Sequence, residues 1–428
     1  MDSEREPIAV IGTGYVGLVT AAGFAELGSE VWCVDVDADK IVQLLRGEIP
    51  IYEPGLAESV ARNRERLHFS TELAPALEHA RLLFVAVGTP PTYSGDADLS
   101  AVQSVVASMP ASDRHALVMK STVPVGTGTS IKRVFAEQNK AGFAYVSCPE
   151  FLKEGSALED FLAPDRVVVG DDGNWAGDAV VALYEPLRAP VVRTDIASAE
   201  MVKLAANAFL ATKISFINEI ANVCEETGAD VLEVARGMGL DQRIGKHFLK
   251  PGIGFGGSCF PKDVSALKQL AGNSGYHFQL LTAVIEVNEL QKRRVIGKLH
   301  KHLGSLVGKR IALLGLAFKS NTDDMREASS LVLAARLQAD GATVSAYDPV
   351  AEREARKLMP GVEFAGSALD AVTGADACIL VTEWPEFAEL DWVSARERMA
   401  GGLVVDGRNF ADREAVKQAG FIYEGIGR

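Results

Sequence analysis

The first part of the chain alternates short apolar segments with longer amphipathic stretches. The apolar segment 8–11 is followed by a glycine-rich turn, a helical stretch and a second apolar segment, 30–34, which ends at Asp35. This order and length are typical of a βαβ unit. The alternation predicts a doubly wound parallel sheet. Its further strands are predicted over 82–87, 116–120 and 143–147.

A long helix is predicted in the middle of the chain. Residues 198–227 contain neither glycine nor proline and are apolar on several sides. At 1.5 Å per residue such a helix is roughly 45 Å long, which suits a spine between domains and a dimer interface. More helical segments are predicted up to residue 300.

A second alternating pattern begins near residue 310. Its first strand is not followed by G-x-G-x-x-G, so we expect this sheet to bind a ligand other than the dinucleotide pyrophosphate. A helix is predicted over 328–339. Strands are predicted over 310–315 and 343–347, and near 377 and 403.

The domain organisation follows from length and pattern together. A chain of 428 residues is longer than one hydrophobic core usually grows, so two or three domains are expected. We predict an α/β protein with two Rossmann-like doubly wound domains, 1–195 and 301–428. The long helix and a helical middle domain, 196–300, join them.

The composition is that of an ordinary globular protein, with 48% hydrophobic and 23% charged residues. A formal net charge of −14 argues against nucleic-acid binding, which needs clustered Lys and Arg. The charged N-terminus lacks the apolar stretch of a signal peptide, and no apolar run reaches the ~18 residues of a membrane span. We expect a cytoplasmic protein without a membrane or nucleic-acid partner.

Five cysteines are scattered along the chain without C-x-x-C spacing. This usage is typical of a reducing compartment, and we expect no metal site. Four of the thiols are predicted to be buried and inert. They are Cys33, Cys148, Cys224 and Cys378.

The glycine-rich turn after the first strand has the dinucleotide-binding spacing, with Gly12, Gly14 and Gly17. Asp35 follows at the end of the next strand, where a carboxylate suits the ribose 2′-hydroxyl and repels a 2′-phosphate. NAD is therefore predicted rather than NADP. Lys40 could also reach the cofactor, or could be an ordinary solvated surface lysine.

Polar turns follow two further predicted strands, over 88–91 and 121–124. Ligands bind at the carboxyl ends of strands in open α/β sheets, so Thr89, Pro90 and Thr122 are candidate contacts. Each turn alone could be an ordinary proline-rich loop without a ligand contact. Two turns at equivalent positions favour ligand contact.

The segment 254–263 combines three glycines with Ser-Cys-Phe-Pro-Lys-Asp. Pro261 suits the first turn of a helix, which places Cys259 just before the helix N-terminus. Amides and the helix dipole stabilise a thiolate there, so Cys259 is interpreted as an activated nucleophile. Asp263 is a candidate base, although a first-turn carboxylate can also simply complement the dipole.

Lys203 and Asn207 lie four residues apart on the long apolar helix and therefore share a face. One interpretation is structural, with each side chain bonding a neighbouring loop. The other is that both donate hydrogen bonds to a developing oxyanion, as thioester chemistry requires.

Two carboxylates four residues apart, Glu150 and Glu154, follow a predicted strand end. Either could handle protons or water. Composition alone favours a solvated helix start, because glutamate is common in a first helical turn.

Four segments together resemble the UDP-glucose/GDP-mannose dehydrogenase family, most closely its UDP-glucose-oxidising branch. The resemblance extends from Gly12 to Arg408. Members of the GDP-mannose and UDP-N-acetylmannosamine branches differ around the cysteine. The four segments are PEFLKEGSA (149–157), KLAANAFLATKISFINE (203–219), DQRIGKHFLKPGIG (241–254) and GFGGSCFPKD (254–263).

The resemblance implies a four-electron oxidation of UDP-glucose to UDP-glucuronate with two NAD. Cys259 captures the aldehyde as a thiohemiacetal, and a second hydride transfer leaves a thioester for hydrolysis. Lys203 and Asn207 would stabilise the oxyanions. The proton and water chemistry would fall to Asp263, Glu150 and Thr122, the last of which orders the hydrolytic water.

The resemblance also implies which residues contact the ligands. For the nucleotide sugar these are Glu150, Phe151, Leu152, Lys203, Asn207, Phe248, Lys250, the loop 252–256 including Gly256, Lys319 and Arg408. For NAD they are Gly12, Gly14, Tyr15, Val16, Gly17, Asp35, Lys40, Thr89, Pro90, Thr122, Glu154 and Arg326. Arg243 is expected to reach the substrate of a neighbouring subunit, which implies a homodimer or a higher homo-oligomer.

Three rival functions stay open. The same chemistry could act on GDP-mannose or a UDP-N-acetylhexosamine. A two-electron hydroxy-acid dehydrogenase would need no nucleophilic cysteine. An inactive NAD-binding sensor would keep the fold, although the combination of Cys259, Lys203, Asn207 and Asp263 argues against it.

Overall fold

The computed structural model describes residues 5–140 and 142–428. Residues 1–4, part of the charged N-terminus discussed above, lie outside the described residues. The chain forms two compact units. Unit 1 comprises Met1–Ala206 and Ser265–Tyr276, and unit 2 comprises Asn207–Val264 and His277–Arg428.

Unit 1 contains an eight-stranded sheet with the strand order β3-β2-β1-β4-β5-β6-β7-β8. Neighbouring strands pair in parallel, except β6 and β7, which are antiparallel over a single residue pair. The strands are β1 (Ile8–Ile11), β2 (Val31–Val34), β3 (Leu67–Ser70), β4 (Leu82–Val85), β5 (Ala116–Met119), β6 (Ala144–Ser147), β7 (Val167–Gly170) and β8 (Val191–Thr194).

Helices connect these strands and cover both faces of the sheet. Strand β1 is buried throughout because Ile8 and Val10 pack into one apolar cluster while Ala9 and Ile11 pack into another. Burial on both faces explains why such strands are continuously apolar. The helices are α1 (Tyr15–Glu26), α2 (Ala38–Leu45), α3 (Leu56–Arg62), α4 (Ala74–His79), α5 (Ser100–Ser108), α6 (Thr127–Glu137), α7 (Ala157–Leu162) and α8 (Trp175–Tyr184).

One helix, α9 (Ile196–Thr227), runs for 32 residues from unit 1 into unit 2. The prediction of a single long helix over 198–227 is therefore confirmed. A second helix, α11 (Phe260–Asn273), begins in unit 2 and ends in unit 1.

Unit 2 contains a six-stranded parallel sheet with the order β11-β10-β9-β12-β13-β14. Its strands are β9 (Arg310–Leu314), β10 (Thr343–Tyr347), β11 (Glu363–Phe364), β12 (Ala377–Leu380), β13 (Leu403–Asp406) and β14 (Ile422–Glu424). Its helices are α10 (Val231–Gly239), α12 (Gln279–Gln291), α13 (Arg294–Leu303), α14 (Ser329–Ala339), α15 (Glu352–Leu358), α16 (Ala368–Val372), α17 (Pro385–Ala388), α18 (Trp392–Arg398) and α19 (Arg413–Gln418).

The predicted fold class is confirmed, and the structure adds strands that the sequence pattern does not predict. In unit 1 these are β3, β7 and β8. Strand β8 lies at the sheet edge with Val191 and Val192 exposed, and β3 alternates buried and half-buried residues. Neither gives the continuous burial on which the other strand predictions depend. Across the described residues, none of the helices is long and apolar enough to cross a membrane.

Candidate active site

The turn between β1 and α1 requires glycine at two of its three motif positions. Gly12 has φ +94°, and a Cβ there would lie 2.7 Å from the Ala86 carbonyl oxygen. A Cβ on Gly17 would lie 1.8 Å from the carbonyl oxygen of Gly12. Gly14 instead faces open space and precedes the first residue of α1, Tyr15. The turn can therefore receive a pyrophosphate against the amides of the helix N-terminus.

Asp35 follows β2 and is held ionised by several donors. Its carboxylate accepts hydrogen bonds from the Thr13 amide and hydroxyl at 2.8 Å each, and from the Asp37 amide at 3.0 Å. Lys40 Nζ lies 2.9 Å away. Burial alone would raise the pKa of Asp35, but these amides and Lys40 lower it below its ordinary value. Lys40 thus pairs with Asp35, and the interpretation as an ordinary solvated lysine is wrong.

The polar turns after β4 and β5 contact each other. Thr89 Oγ1 donates to the carbonyl oxygen of Thr122 at 2.9 Å, and Ser121 Oγ donates to the carbonyl oxygen of Val87 at 2.7 Å. Pro90 is exposed beside them. Both turns lie at the carboxyl edge of the unit 1 sheet, next to the glycine turn. Their cofactor contacts stay a prediction.

Glu53, which the sequence reasoning missed, joins the glycine turn to the segment around Glu150. Its buried carboxylate accepts the amides of Gly155 at 2.6 Å and Ala157 at 2.7 Å, and it is also hydrogen bonded to the Tyr15 hydroxyl. The amides belong to the N-terminal end of α7. Nothing local in the sequence indicates this role, since the partners are about a hundred residues away.

Glu150 lies in a loop and is only 5% exposed. Its Oε1 binds Lys203 Nζ at 2.8 Å, and its Oε2 accepts the Leu152 amide at 2.6 Å. Burial alone would raise the pKa of Glu150, but Lys203 and that amide bring it below its ordinary value. The expectation of a solvated helix start is therefore wrong, because α7 begins only at Ala157. Glu154 and Phe151 are half-buried in the same segment.

A buried carboxylate on α9, Glu200, fixes the loop that carries Thr122. Glu200 is buried and accepts the amides of Gly126 at 2.7 Å and Gly128 at 2.8 Å, at the start of α6. Burial raises the pKa of Glu200, and the two amides oppose that shift. Sequence reasoning missed this residue, although it precedes Lys203 by one helical turn.

A polar cavity of about 110 Å³ adjoins Glu150 within unit 1. Phe151 and Leu152 line it together with Lys120 and Arg166. The Arg166 guanidinium lies 3.6 Å over the Phe151 ring. Three predicted substrate contacts, Glu150, Phe151 and Leu152, thus border this cavity.

Cys259 immediately precedes α11, as predicted, and is partly exposed. The other four cysteines are buried, which confirms the expectation for them. Burial raises the pKa of Cys33 and Cys378, so both stay protonated thiols. Ser258 Oγ lies 3.5 Å from Cys259 Sγ. A thiol at a helix N-terminus with partial exposure is the arrangement of a reactive cysteine.

Asp263 lies one turn into α11 and is 1% exposed. Asn207 Nδ2 donates to its Oδ2 at 2.6 Å, and Lys262 Nζ donates to its Oδ1 at 2.6 Å. The Asp263 amide donates to the Cys259 carbonyl oxygen at 2.8 Å. Lys262 was missed by the sequence reasoning. Lys203 and Asn207 are thus each bonded to a neighbouring segment, Lys203 to Glu150 in a loop and Asn207 to Asp263 on α11.

The glycine loop before Cys259 is anchored by side chains that the sequence reasoning also missed. Asn288 accepts the Phe255 amide at 2.8 Å and donates to the Phe255 carbonyl oxygen at 3.0 Å. Asn218 accepts the Gly252 amide at 2.8 Å, and Gln291 donates to the Gly252 carbonyl oxygen at 2.9 Å. These buried bonds fix the backbone that leads to the cysteine.

Three predicted ligand contacts of unit 2 adjoin this loop, Arg408 and Lys319 for the substrate and Arg326 for NAD. Arg408 Nη1 donates to the Gly254 carbonyl oxygen at 2.7 Å. The carbonyl oxygen of Arg326 accepts the Gly257 amide at 2.8 Å. Lys319 Nζ lies 5.4 Å over the ring of Phe318, which packs against Gly257.

The remaining substrate candidates lie around the start of α11 or on the surface. Phe248, at φ +63°, has its ring 6.0 Å from that of Phe260. Lys250 is exposed. Arg243 is highly exposed and pairs with Asp241 at 2.7 Å. Across the described residues there is no cluster of three or more His, Cys, Asp or Glu able to hold a metal ion.

Comparison with protein families gives three matches along the chain. All three belong to the UDP-glucose/GDP-mannose dehydrogenase family. They are its NAD binding domain over residues 6–188, its central domain over 197–290 and its UDP binding domain over 312–413.

Individual relatives match over nearly the whole chain. A UDP-glucose 6-dehydrogenase of Bacillus subtilis is 47% identical, with 98% of this chain and 93% of the relative covered. One from Pseudomonas aeruginosa is 46% identical, with 98% and 97% covered.

Solved structures agree. A UDP-glucose dehydrogenase from Pyrobaculum islandicum has a TM-score of 0.92 and 39% identity, with 100% of this chain and 98% of that one covered. A UDP-D-ManNAc dehydrogenase from Pyrococcus horikoshii has a TM-score of 0.85 and 29% identity, with 99% of both chains covered. The open glycine turn and ionised Asp35 fit the NAD binding domain that the first match describes. The chain is an NAD-binding oxidoreductase that belongs to the UDP-glucose/GDP-mannose dehydrogenase family.

Proposed function

We propose that the protein oxidises C6 of UDP-glucose from an alcohol to a carboxylate, giving UDP-glucuronate. The observation that carries the four-electron route is the partly exposed Cys259 at the N-terminus of α11. The three UDP-glucose dehydrogenases described above are 39% to 47% identical, whereas the UDP-D-ManNAc dehydrogenase is 29% identical. The identities favour glucose as the sugar.

NAD, when bound, accepts a hydride from C6 in each of the two oxidations. The first oxidation leaves an aldehyde, and the Cys259 thiolate adds to its carbon to give a thiohemiacetal. The second oxidation leaves a thioester. The amides of the first turn of α11 lower the energy of the thiolate, which is the form that attacks and later leaves.

Lys203 and Asn207 are proposed to stabilise the C6 oxyanion. Each is a buried donor with an acid as its present partner, Glu150 for Lys203 and Asp263 for Asn207. Donors already oriented by the fold need little reorganisation when negative charge develops on the substrate.

Proton transfer is proposed for Asp263, Glu150 and Thr122. Asp263 lies one turn from Cys259, and its carboxylate is paired with Lys262. Glu150 is held ionised and takes a proton from the hydrolytic water. Thr122, whose loop is fixed through Glu200, orders that water.

Substrate and cofactor contacts follow the predicted assignment. We propose that the C-terminal domain, 301–428, holds the UDP group, with Arg408 and Lys319 supplying positive charge beside the loop 252–256. The match of residues 312–413 to a UDP binding domain supports this. Phe248 and Lys250 complete the sugar nucleotide contacts. Arg326 and Glu154 are proposed to contact NAD. The proposed N-terminal domain is 1–195 and the proposed middle domain is 196–300.

A homodimer built on α9 is also proposed. Phe209, Phe216 and Val223 are exposed large hydrophobic residues at seven-residue intervals on this helix. Such a stripe suits pairing with the same helix of a second subunit. Arg243 would then reach the neighbouring subunit's substrate. Light scattering of Phe216→Glu should give a monomer; a dimer of unchanged stability would exclude this face.

The stoichiometry of NADH formation tests the proposed reaction. We expect two NADH per UDP-glucose, and loss of turnover in Cys259→Ser but not in Cys224→Ala, a control at a buried thiol. GDP-mannose, UDP-N-acetylmannosamine and UDP-galactose should react far more slowly. One NADH per sugar would refute the thioester route. Preference for another nucleotide sugar would refute the substrate, and NAD binding without turnover on any of them would indicate a sensor.

The compartment is proposed to be the cytoplasm. All five cysteines are free and four of them are buried, a usage typical of proteins in a reducing compartment.

A further inference from the structure

Lys120 is a buried cation whose position needs an explanation. It follows β5, is 5% exposed, and donates from Nζ to the Tyr184 hydroxyl at 3.1 Å. Among the ion pairs of the described residues, none includes Lys120. Burying an ammonium beside a neutral phenol alone is unfavourable, so a nearby negative charge is expected.

The carboxylate that shares a cavity with Lys120 is Glu150. Both line the polar cavity of about 110 Å³ described above. A cavity of this size and polarity can hold water. The other charged groups around it form two pairs, Lys153 with Asp160 and Arg166 with Asp165 at 4.0 Å. Arg166 also interacts electrostatically with Glu150, but its nearer carboxylate partner is Asp165.

Glu150 and the C6 oxyanion both require Lys203 during the reaction. Its close cation is Lys203, and the proposed function directs Lys203 to the C6 oxyanion. A buried carboxylate that loses its cation takes up a proton. A protonated Glu150 could not then accept a proton from water.

We propose that Lys120 is a positioning residue that keeps Glu150 ionised across the water-holding cavity while Lys203 is engaged with the reacting oxygen. This inference rests on the proposed function. In the step concerned, a water oxygen bonds to the thioester carbon and Glu150 takes one water proton. The carbon–sulfur bond breaks, Cys259 leaves as thiolate, and the proton of the resulting carboxylic acid passes to solvent.

The electrostatics of the cavity agree with this role. Burial raises the pKa of Glu150, and this is the largest single influence on it. Lys203, the Leu152 amide and then Lys120 all lower the pKa, and together they outweigh burial. Of the two lysines in this set, Lys120 is the one that the proposed chemistry leaves in place.

The test is the pH dependence of thioester decay, followed by intact-protein mass spectrometry after mixing with UDP-glucose and NAD. Lys120→Met and Lys120→Gln remove the charge, and glutamine retains a hydrogen-bonding group in case methionine prevents folding. The acidic limb is the part of the pH–rate profile in which decay slows as the pH falls. We expect this limb to move to higher pH by roughly one unit, with near-normal decay rates at pH values above it. At pH values below the acidic limb, decay should slow about tenfold, since the rate follows the ionised fraction of Glu150.

Matched variants separate charge from structure. Lys120→Arg keeps the charge and should restore the normal limb, and Lys132→Met removes an exposed lysine of unit 1 and should change nothing. The inference is overturned if the acidic limb of Lys120→Gln lies at the wild-type pH. It is also overturned if thioester decay in Lys120→Gln slows equally at every pH.

Glu150→Gln distinguishes failure of the inference from failure of the proposed function. If Glu150→Gln slows decay while the Lys120 variants keep the normal limb, only the inference fails. If Glu150→Gln leaves decay unchanged, the role of Glu150 in the proposed function fails and the inference fails with it.

Discussion

Replacing Asn288 by alanine removes two buried hydrogen bonds from the loop that leads to Cys259. Asn288 is 3% exposed, and its side chain serves both the amide and the carbonyl of Phe255, at 2.8 and 3.0 Å. Each buried backbone group left without a partner costs about 1–3 kcal/mol. A water entering the vacated space would recover part of that cost. We therefore expect unit 2 to lose about 2–4 kcal/mol of unfolding free energy.

Asn288→Asp sharpens the prediction. The carboxylate keeps an acceptor for the Phe255 amide but sets a second oxygen against the Phe255 carbonyl, about 3 Å away, where the asparagine now donates. This variant should be no more stable than Asn288→Ala near neutral pH. Burial beside the carbonyl should raise the pKa of this aspartate in the folded state above its unfolded value of about 4. Protonation restores a donor, so the stability of the variant should recover as the pH falls toward about 4 and level off below it.

Two measurements check these variants. Urea unfolding gives the free energy, and amide exchange followed by mass spectrometry reports on the peptide 252–259. Asn288→Ala should lose protection in that peptide, whereas Glu286→Ala, an exposed position on the same helix, should not. If Asn288→Ala matches Glu286→Ala in both assays, the loop is held by other contacts and the reasoning fails.

Three further outcomes are expected. Asp35→Ser should weaken NAD binding by about 10- to 100-fold. It should also narrow the preference for NAD over NADP, because the variant lacks the carboxylate that repels a 2′-phosphate and leaves Lys40 without its partner. Fluorescence titration with each cofactor measures both affinities. Gly256→Ala should destabilise unit 2 in urea, because the new Cβ would lie 2.2 Å from the Glu327 carbonyl oxygen; wild-type stability would contradict that geometry. Burial raises the pKa of Glu424, but the basic side chains of α13 lower it to about 2. The ionised carboxylate therefore stabilises the folded protein above the usual pKa of a glutamate, and this stabilisation is lost as the pH falls toward 2. Glu424→Gln should cost about 1–2 kcal/mol at pH 7 after allowance for solvent screening, and urea unfolding should show a smaller difference at pH 3.

The local parts of the site were predictable from sequence. The glycine turn depends on residues within one βα connection, and the position of Cys259 depends on a proline two residues later, in the first turn of α11. Short-range sterics and helix-terminus electrostatics decide both, so a short segment contains the information.

The supporting side chains could not be predicted in this way. Glu53 bonds amides about a hundred residues away, and Asn288 bonds a loop 33 residues away. A single glutamate or asparagine in a sequence has no pattern that separates such a role from surface solvation. Glu150 shows the same limit, because its burial follows from Lys203, 53 residues later on α9.

The spacing of two asparagines on α9 constrains how the chain can vary. Asn207 binds Asp263 and Asn218 binds Gly252, so one helix face holds both ends of the cysteine segment. Eleven residues are close to three full turns, about 16 Å of rise. Inserting or deleting one residue between them would rotate one asparagine about 100° off that face and release its end of the segment. The length of α9 between these two asparagines therefore fixes the spacing of the two bonds. Single substitutions on the outer face of α9 leave this spacing intact, but a one-residue change of length destroys it.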